Sequence, residues 1–372
     1  MAAHIEIPLS RRVHSMQASG IRKVFDLAQE IRNPVNLSIG QPHFDVPDEV
    51  KAVAIEAIRT GKNSYTQTQG GPELREALLR HLGGRYDASE ILVASGVCGA
   101  LSLAYLALLD AGDEIVVLDP YFVGYKQLAF LCGARPVFVD TYPDFSLDPE
   151  RVERAVSPRT RAVIFSSPAN PTGAVFSAAD LRALAEVARR HDLLVISDEI
   201  YCDYAYDAPF QSITDFYEKT LVLNGFSKSH AMTGWRLAWA AGPRELIAAM
   251  TKLQQFTYVC APSFAQIAGA AALGRLPDER IAEYKAKRDR IHAGLVAAGY
   301  DVQKPAGAFY IFPRAPWGTD MDFAAAAVKK ELLIIPGSVF SEANTHVRIS
   351  YAATDETIDR GLEILSELVK RP

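Results

Sequence analysis

The apolar positions of the chain follow two regimes. From about residue 91, short β-branched runs alternate with stretches in which apolar residues recur every three or four positions. The runs at 91–94, 114–118, 136–139, 162–165, 193–196, 221–223 and 237–241 predict strands. The stretches at 97–109, 123–132, 149–156, 177–191 and 244–256 predict helices between them. Strands that are apolar at nearly every position are covered on both faces. The alternation therefore predicts an α/β fold built on a mostly parallel, seven-stranded sheet between helices.

Past about residue 275 the pattern changes. A long charged helix, 277–298, carries Ile281, Tyr284, Ile291 and Leu295 at helical spacing. Short strands at 308–312 and 347–351 flank a helix at 322–331, and a last helix runs from about Asp355 to Val369 with Thr354 as its cap. Upstream of the sheet, Ile21, Val24, Phe25 and Ala28 predict one amphipathic helix and 35–39 a short strand. Pro47-Asp48 opens a helix reaching about Arg59, and Pro72 starts another after the glycine-ended loop 65–71. The expected division is an arm and small-domain segment at 1–44, a large domain at 45–275 and a small α+β domain at 276–372.

Composition narrows the function. The chain has 372 residues and a formal net charge of −5, with no basic footprint for nucleic acid and no polybasic membrane surface. No apolar run reaches the roughly 18 residues that a membrane span needs. The first residues lack the apolar segment of a secretion signal, so a cytoplasmic location is expected. Cys98, Cys132, Cys202 and Cys260 have no CxxC or CxxH spacing and are expected to be buried free thiols, with no metal site.

In sheets of this kind ligands bind beyond the carboxyl ends of the strands, so the residues that follow each run carry the chemistry. Ser95-Gly96-Val97-Cys98 opens a helix whose free N–H groups would favour a phosphate. Asp119-Pro120-Tyr121-Phe122 brings aromatic rings to the same edge. Asn170 lies between two prolines that stiffen its loop, and Asp198 leaves an apolar strand where it needs a cationic or hydrogen-bonding partner. Lys228 follows 221–223 on a loop, with Arg236 eight residues later. An amine that can form a Schiff base and a guanidinium that can fork onto a phosphate suit a cofactor with an aldehyde and a phosphate.

The order NPTG (170–173), SDEIY (197–201), SK (227–228), TGWR (233–236) and VRIS (347–350) resembles the class I/II aminotransferases, pyridoxal-phosphate enzymes of the aspartate aminotransferase fold type I. The likeness extends from SIGQPHFDVP (38–47) through PGSVF (336–340) to Arg348. It implies that Lys228 is the Schiff-base lysine and the proton carrier, and that Asp198 partners the pyridine nitrogen. It implies that Asn170 and Tyr201 hydrogen-bond the ring's phenolic oxygen, while Phe122 stacks on the ring. Phosphate binding would fall to Arg236, the N–H groups of Val97 and Cys98, and Ser227. Tyr65 would reach the cofactor of a second subunit, making a homodimer with a composite site. Arg348, helped by the backbone of Gly40 and by Asn170, would clamp the substrate carboxylate.

The reaction expected is transfer of an amino group from an L-amino acid to a 2-oxo acid, 2-oxoglutarate, by a ping-pong mechanism. A carbon–sulfur or β-elimination lyase shares every one of these motifs and is the alternative; a silent ligand sensor on the same fold is a second. Some positions depart from the family pattern. Gln41 and His43 replace acidic residues, and Gly225 stands where a serine is usual. Cys98 occupies the place of a basic residue used by some aspartate-specific members, which bears against a preference for dicarboxylates. Tyr125, Tyr258, Phe309 and Tyr310 are candidates for lining an apolar or aromatic side-chain pocket, or else for the core.

Overall fold

A computed structural model of the chain describes residues 7–16, 33–274 and 278–370. All seven predicted strands form one sheet: β2 (Ile91–Ala94), β3 (Glu114–Asp119), β4 (Arg135–Asp140), β5 (Thr160–Ser166), β6 (Leu194–Asp198), β7 (Thr220–Gly225) and β8 (Ala238–Ala241). Their spatial order is β2-β8-β7-β6-β5-β3-β4. Only β8 runs antiparallel, against both β2 and β7. The β3, β4, β5, β6 and β7 pairings are parallel; the returns up to β6 run through α-helices, and the one from β6 to β7 through two short 3-10 turns, Cys202–Tyr204 and Ile213–Asp215.

The alternation of side chains along each strand explains why both faces are apolar. Ile115 and Val117 pack with Ile164, Ile196 and Leu221 beneath the helices Gly96–Leu108 and Arg244–Thr257. Val116, Val163 and Val195 point to the opposite face, onto the helix Ala178–Arg190. That helix begins with a capping box in which Ser177 and Asp180 satisfy each other's backbone N–H groups. Towards the β2 edge, Ile91, Val93, Val222 and Trp239 form a further core with Leu74, Leu78 and Ala265.

The rest of the chain builds two small sheets. β9 (Tyr310–Ile311), β11 (Ile335–Pro336) and β12 (Val347–Ser350) are antiparallel in the order β11-β12-β9. β1 (Val35–Asn36) pairs in parallel with β10 (Leu332–Leu333), tying the early segment to the C-terminal part. Helices Asp278–Ala298 and Asp355–Leu368 pack on them, burying Tyr284, Ile291, Leu295, Ile358 and Leu365. Thr354 caps the last helix by accepting a hydrogen bond from the Thr357 N–H.

Several expectations need correction. A helix at Ser263–Ala272 has no counterpart in the sequence reading. The helix expected at 322–331 starts earlier, at Asp320, where Thr319 and Asp322 form a capping box. Of the strand expected at 308–312 only Tyr310–Ile311 pairs as strand. The four cysteines are free, but Cys98 is exposed and the other three half-buried, not buried as expected. The amphipathic helix expected around Ile21 and Ala28 lies outside the described residues. Among the described residues no helix is long and apolar enough to cross a membrane, and no His/Cys/Asp/Glu cluster could hold a metal.

Candidate active site

The carboxyl ends of the parallel strands open on a cavity of about 280 Å³, between the large sheet and the β9–β12 sheet. Asp198 closes β6 and is only 4 % exposed. Its carboxylate accepts a 2.8 Å hydrogen bond from the Tyr125 hydroxyl and one of 3.3 Å from the Ile200 N–H. Burial raises its pKa to about 6 against the pull of those two donors and of Lys228.

Lys228 follows β7 on a turn, and the Tyr204 hydroxyl anchors its backbone carbonyl at 2.9 Å. The amine donates to the Gly40 carbonyl at 2.6 Å and lies 5.8 Å from the centre of the Tyr201 ring. Burial, then the charge of Arg348, lowers its pKa to about 8, and Arg236 adds to the effect. An amine that still carries charge near neutral pH but gives up its proton far more readily than an ordinary lysine is suited to act as a nucleophile on a ligand in the cavity.

At one end of the cavity the helix Gly96–Leu108 begins with Ser95 making no side-chain cap. Its first N–H groups, those of Val97 and Cys98 among them, have no partner within the helix. Gly96 has φ +73°, and a Cβ there would collide with the Arg236 guanidinium, which is stacked against the helix start. Arg236 itself sits at φ 55°, a strained value for a side-chain-bearing residue, and one nitrogen of its guanidinium donates to the Thr233 carbonyl at 3.0 Å. Guanidinium and helix dipole together make a pocket for a phosphate.

At the other end β12 delivers Arg348, 2 % exposed. Its guanidinium lies 4.5 Å from the ring centres of both Tyr310 and Phe340. It donates to Asn170 Oδ1 at 3.1 Å and to the Ser38 carbonyl at 2.8 Å, while its buried Nε has no partner among the described residues. Facing no carboxylate among the described residues, such a group is poised for one from outside. Asn170 and Tyr201 line the wall between Arg348 and Lys228, and the Tyr201 hydroxyl shares a 2.7 Å hydrogen bond with Tyr310.

A family model described as aminotransferase class I and II matches residues 32–365. The chain belongs to that family. It is 36% identical to a probable aspartate aminotransferase of Methanocaldococcus jannaschii, over 97% of this chain and 99% of that one. It is also 36% identical to an aromatic-amino-acid aminotransferase of Thermococcus litoralis, over 97% and 98%. The aspartate aminotransferase of Thermus thermophilus with maleate superposes with a TM-score of 0.91 at 36% identity, covering 98% of this chain and 100% of that structure.

This aminotransferase is therefore a pyridoxal-phosphate enzyme, and the residues present fit that cofactor. The uncapped helix start with Arg236 suits its phosphate, the amine of Lys228 its aldehyde, and the buried carboxylate of Asp198 a cationic ring nitrogen.

Of the residues singled out in the sequence, Lys228, Asp198, Tyr201, Asn170, Arg236, Phe122, Val97, Cys98, Ser227, Arg348 and Gly40 all line the one cavity. Tyr65 does not; it is 83% exposed on the loop before the helix Pro72–His81. Of the four aromatic candidates, Tyr125 and Tyr310 line the cavity, Phe309 is core, and Tyr258 stands behind the helix start with its hydroxyl 3.4 Å from the Ser95 N–H. Sequence reasoning missed Ser38, Ser166, Ile200 and Thr233, which also line it. Ser166 was legible as the residue at which the apolar run of β5 ends.

Proposed function

We propose that this aminotransferase moves the amino group of an L-amino acid to 2-oxoglutarate in two half-reactions that use the same cavity. When bound, pyridoxal phosphate supplies an aldehyde that holds the amine and a ring that takes up the electron pair released at the amino acid's Cα. Arg348 binds the substrate carboxylate through the nitrogens it presents between the Tyr310 and Phe340 rings, in both half-reactions. That grip would orient the Cα–H bond towards the amine of Lys228, which would take the proton from Cα and deliver it to the carbon that the cofactor's aldehyde supplies. Asp198 would keep the ring nitrogen cationic, Asn170 and Tyr201 would hydrogen-bond the ring oxygen, and Phe122 would cover the ring. Arg236, the Val97 and Cys98 N–H groups and Ser227 hold the phosphate. The backbone of Gly40, whose carbonyl already receives Lys228, lies beside the carboxylate site.

The observation that carries this reading is the spacing of charge around one cavity. Three cations, Lys228, Arg236 and Arg348, face one buried carboxylate, Asp198. The surplus matches a ligand set with a phosphate at one end and a carboxylate at the other.

The same proposal assigns 45–275 to cofactor binding and 1–44 with 276–372 to a smaller unit that closes over the substrate. It makes the working unit a cytoplasmic homodimer in which the exposed Tyr65 serves the second subunit's phosphate. The test is isotopic: ¹⁵N-labelled amino acids are supplied one at a time with unlabelled 2-oxoglutarate and the loaded enzyme. Label is expected in glutamate in proportion to oxo acid consumed. Release of labelled ammonia without an oxo-acid acceptor would overturn the proposal in favour of elimination.

A further inference from the structure

Tyr125 lies on the first turn of the helix Val123–Cys132, 1 % exposed, with its hydroxyl directed onto Asp198. The phenol donates to Oδ2 at 2.8 Å, and the only other hydrogen bond to that carboxylate from the described residues is the longer one from the Ile200 N–H to Oδ1. The edge of Phe122 packs on the Tyr125 ring, centroids 5.6 Å apart and planes at 79°, which restricts the ring's tilt.

A carboxylate at the end of an apolar strand can rotate about its last torsion unless something fixes it. Left with one backbone donor it would also be driven towards the neutral acid by burial. A neutral acid can no longer hold a proton on a ring nitrogen by charge.

We propose that Tyr125 is a positioning residue for the cofactor ring: its hydroxyl orients Asp198 and holds it ionised towards the pyridine nitrogen. The inference rests on the assignment of Asp198 to that nitrogen. Tyr125 also lines the cavity, but its hydroxyl acts through Asp198, so the hydroxyl's contribution exists only for a ligand that carries a nitrogen there. Direction supports this, because the phenol's hydrogen bond lowers the carboxyl's pKa while desolvation raises it.

The test compares dissociation constants for pyridoxal phosphate and for its 1-deaza analogue, in which carbon replaces the ring nitrogen, using the full chain freed of cofactor. Tyr125→Phe removes the hydroxyl and keeps the ring. It is expected to weaken pyridoxal phosphate about tenfold, the scale of a hydrogen bond to a charged group, and to change analogue binding by less than about twofold. An equal loss for both ligands would mean a merely structural role, and no loss for either would mean no role; each overturns the proposal. Asp198→Asn, measured in parallel, separates the two layers. If that variant loses the preference for nitrogen while Tyr125→Phe retains it, the Tyr125 proposal falls and the Asp198 assignment stands. If Asp198→Asn keeps the preference, the underlying assignment fails. Should Tyr125→Phe not fold, Tyr125→His keeps a ring and a donor. It is expected to hold the preference within about threefold, and an equal loss of both ligands by that variant overturns the proposal.

Discussion

Asp198 shows how a single residue sets stability against function. Its carboxyl is buried with a pKa of about 6, above the ordinary value near 3.8. The raised value means that the folded, cofactor-free chain holds the proton more tightly than the unfolded chain does. Stability contributed by the protonated form is complete below about pH 4 and is lost as pH rises to about 6. Above that the folded chain carries a buried charge whose desolvation its hydrogen bonds from Tyr125 and Ile200 and the pull of Lys228 offset only in part. Asp198→Asn keeps an oxygen acceptor for Tyr125 without the charge. The cofactor-free variant is expected to be more stable than the parent at pH 8 by about 1–3 kcal/mol, and to show no such gain at pH 4. Urea melts at the two pH values read this directly; a variant less stable at pH 8 would contradict the account.

The same residue scale shows what was legible. An aspartate leaving a fully apolar strand, and a lysine after another, stand out because buried charge must be matched. Tyr125 was legible only as one of four aromatics that could line a side-chain pocket or belong to the core; only the fold shows its hydroxyl meeting Asp198. The cysteines were read as buried because thiols usually are, whereas Cys98 is exposed on the first turn of its helix.

At the scale of elements, the seven strands were readable because each is a short apolar run between turn-forming residues. The helix Ser263–Ala272 was not, since SFAQIAGAAA has small and apolar residues on all sides and little polar contrast to reveal a period. It earns its place by close packing: a Cβ on Gly269 would collide with Leu237. Its Gln266 accepts from the Gly71 N–H at 2.7 Å and donates to Thr66 at 2.9 Å, so this helix fixes the loop that carries Tyr65.

The helix Gly96–Leu108 offers the sharper test at this scale. Gly96→Ala puts a methyl group against the Arg236 guanidinium and a side chain at φ +73°. The backbone term costs about 1–2 kcal/mol, and the displaced guanidinium leaves the phosphate pocket. Affinity for pyridoxal phosphate is expected to fall at least tenfold, on the order of one charge-assisted contact, while the folded chain survives. Fluorescence titration measures it; unaltered affinity would mean that Arg236 does not hold the phosphate.

For the whole molecule, the N-terminal segment and the C-terminal part are knitted together by the β1–β10 pairing. That closure was expected from the sequence only as a recruited segment, because pairing between distant residues leaves no local periodicity. Tyr65 stands outside its own chain's cavity, and Ile55, Ile58 and Phe256 are exposed large apolar residues as well. The composite-site proposal makes a complementation prediction. A Lys228→Ala chain and a Tyr65→Ala chain, each impaired alone at limiting cofactor, are expected to regain activity when mixed and reassembled. In the hybrid, one cavity combines an intact Lys228 with a partner's intact Tyr65. Failure to complement, in a hybrid shown by native mass spectrometry to have formed, would count against sharing of residues between subunits.

The central claim is that Lys228 is the amine that holds the cofactor. It is tested most directly by reducing the loaded enzyme with borohydride and mapping the modified peptide by mass spectrometry. A single pyridoxyl group on Lys228 is expected, with prior addition of excess amino acid abolishing it. Label spread over surface lysines, or fixed at another single lysine, would contradict the account.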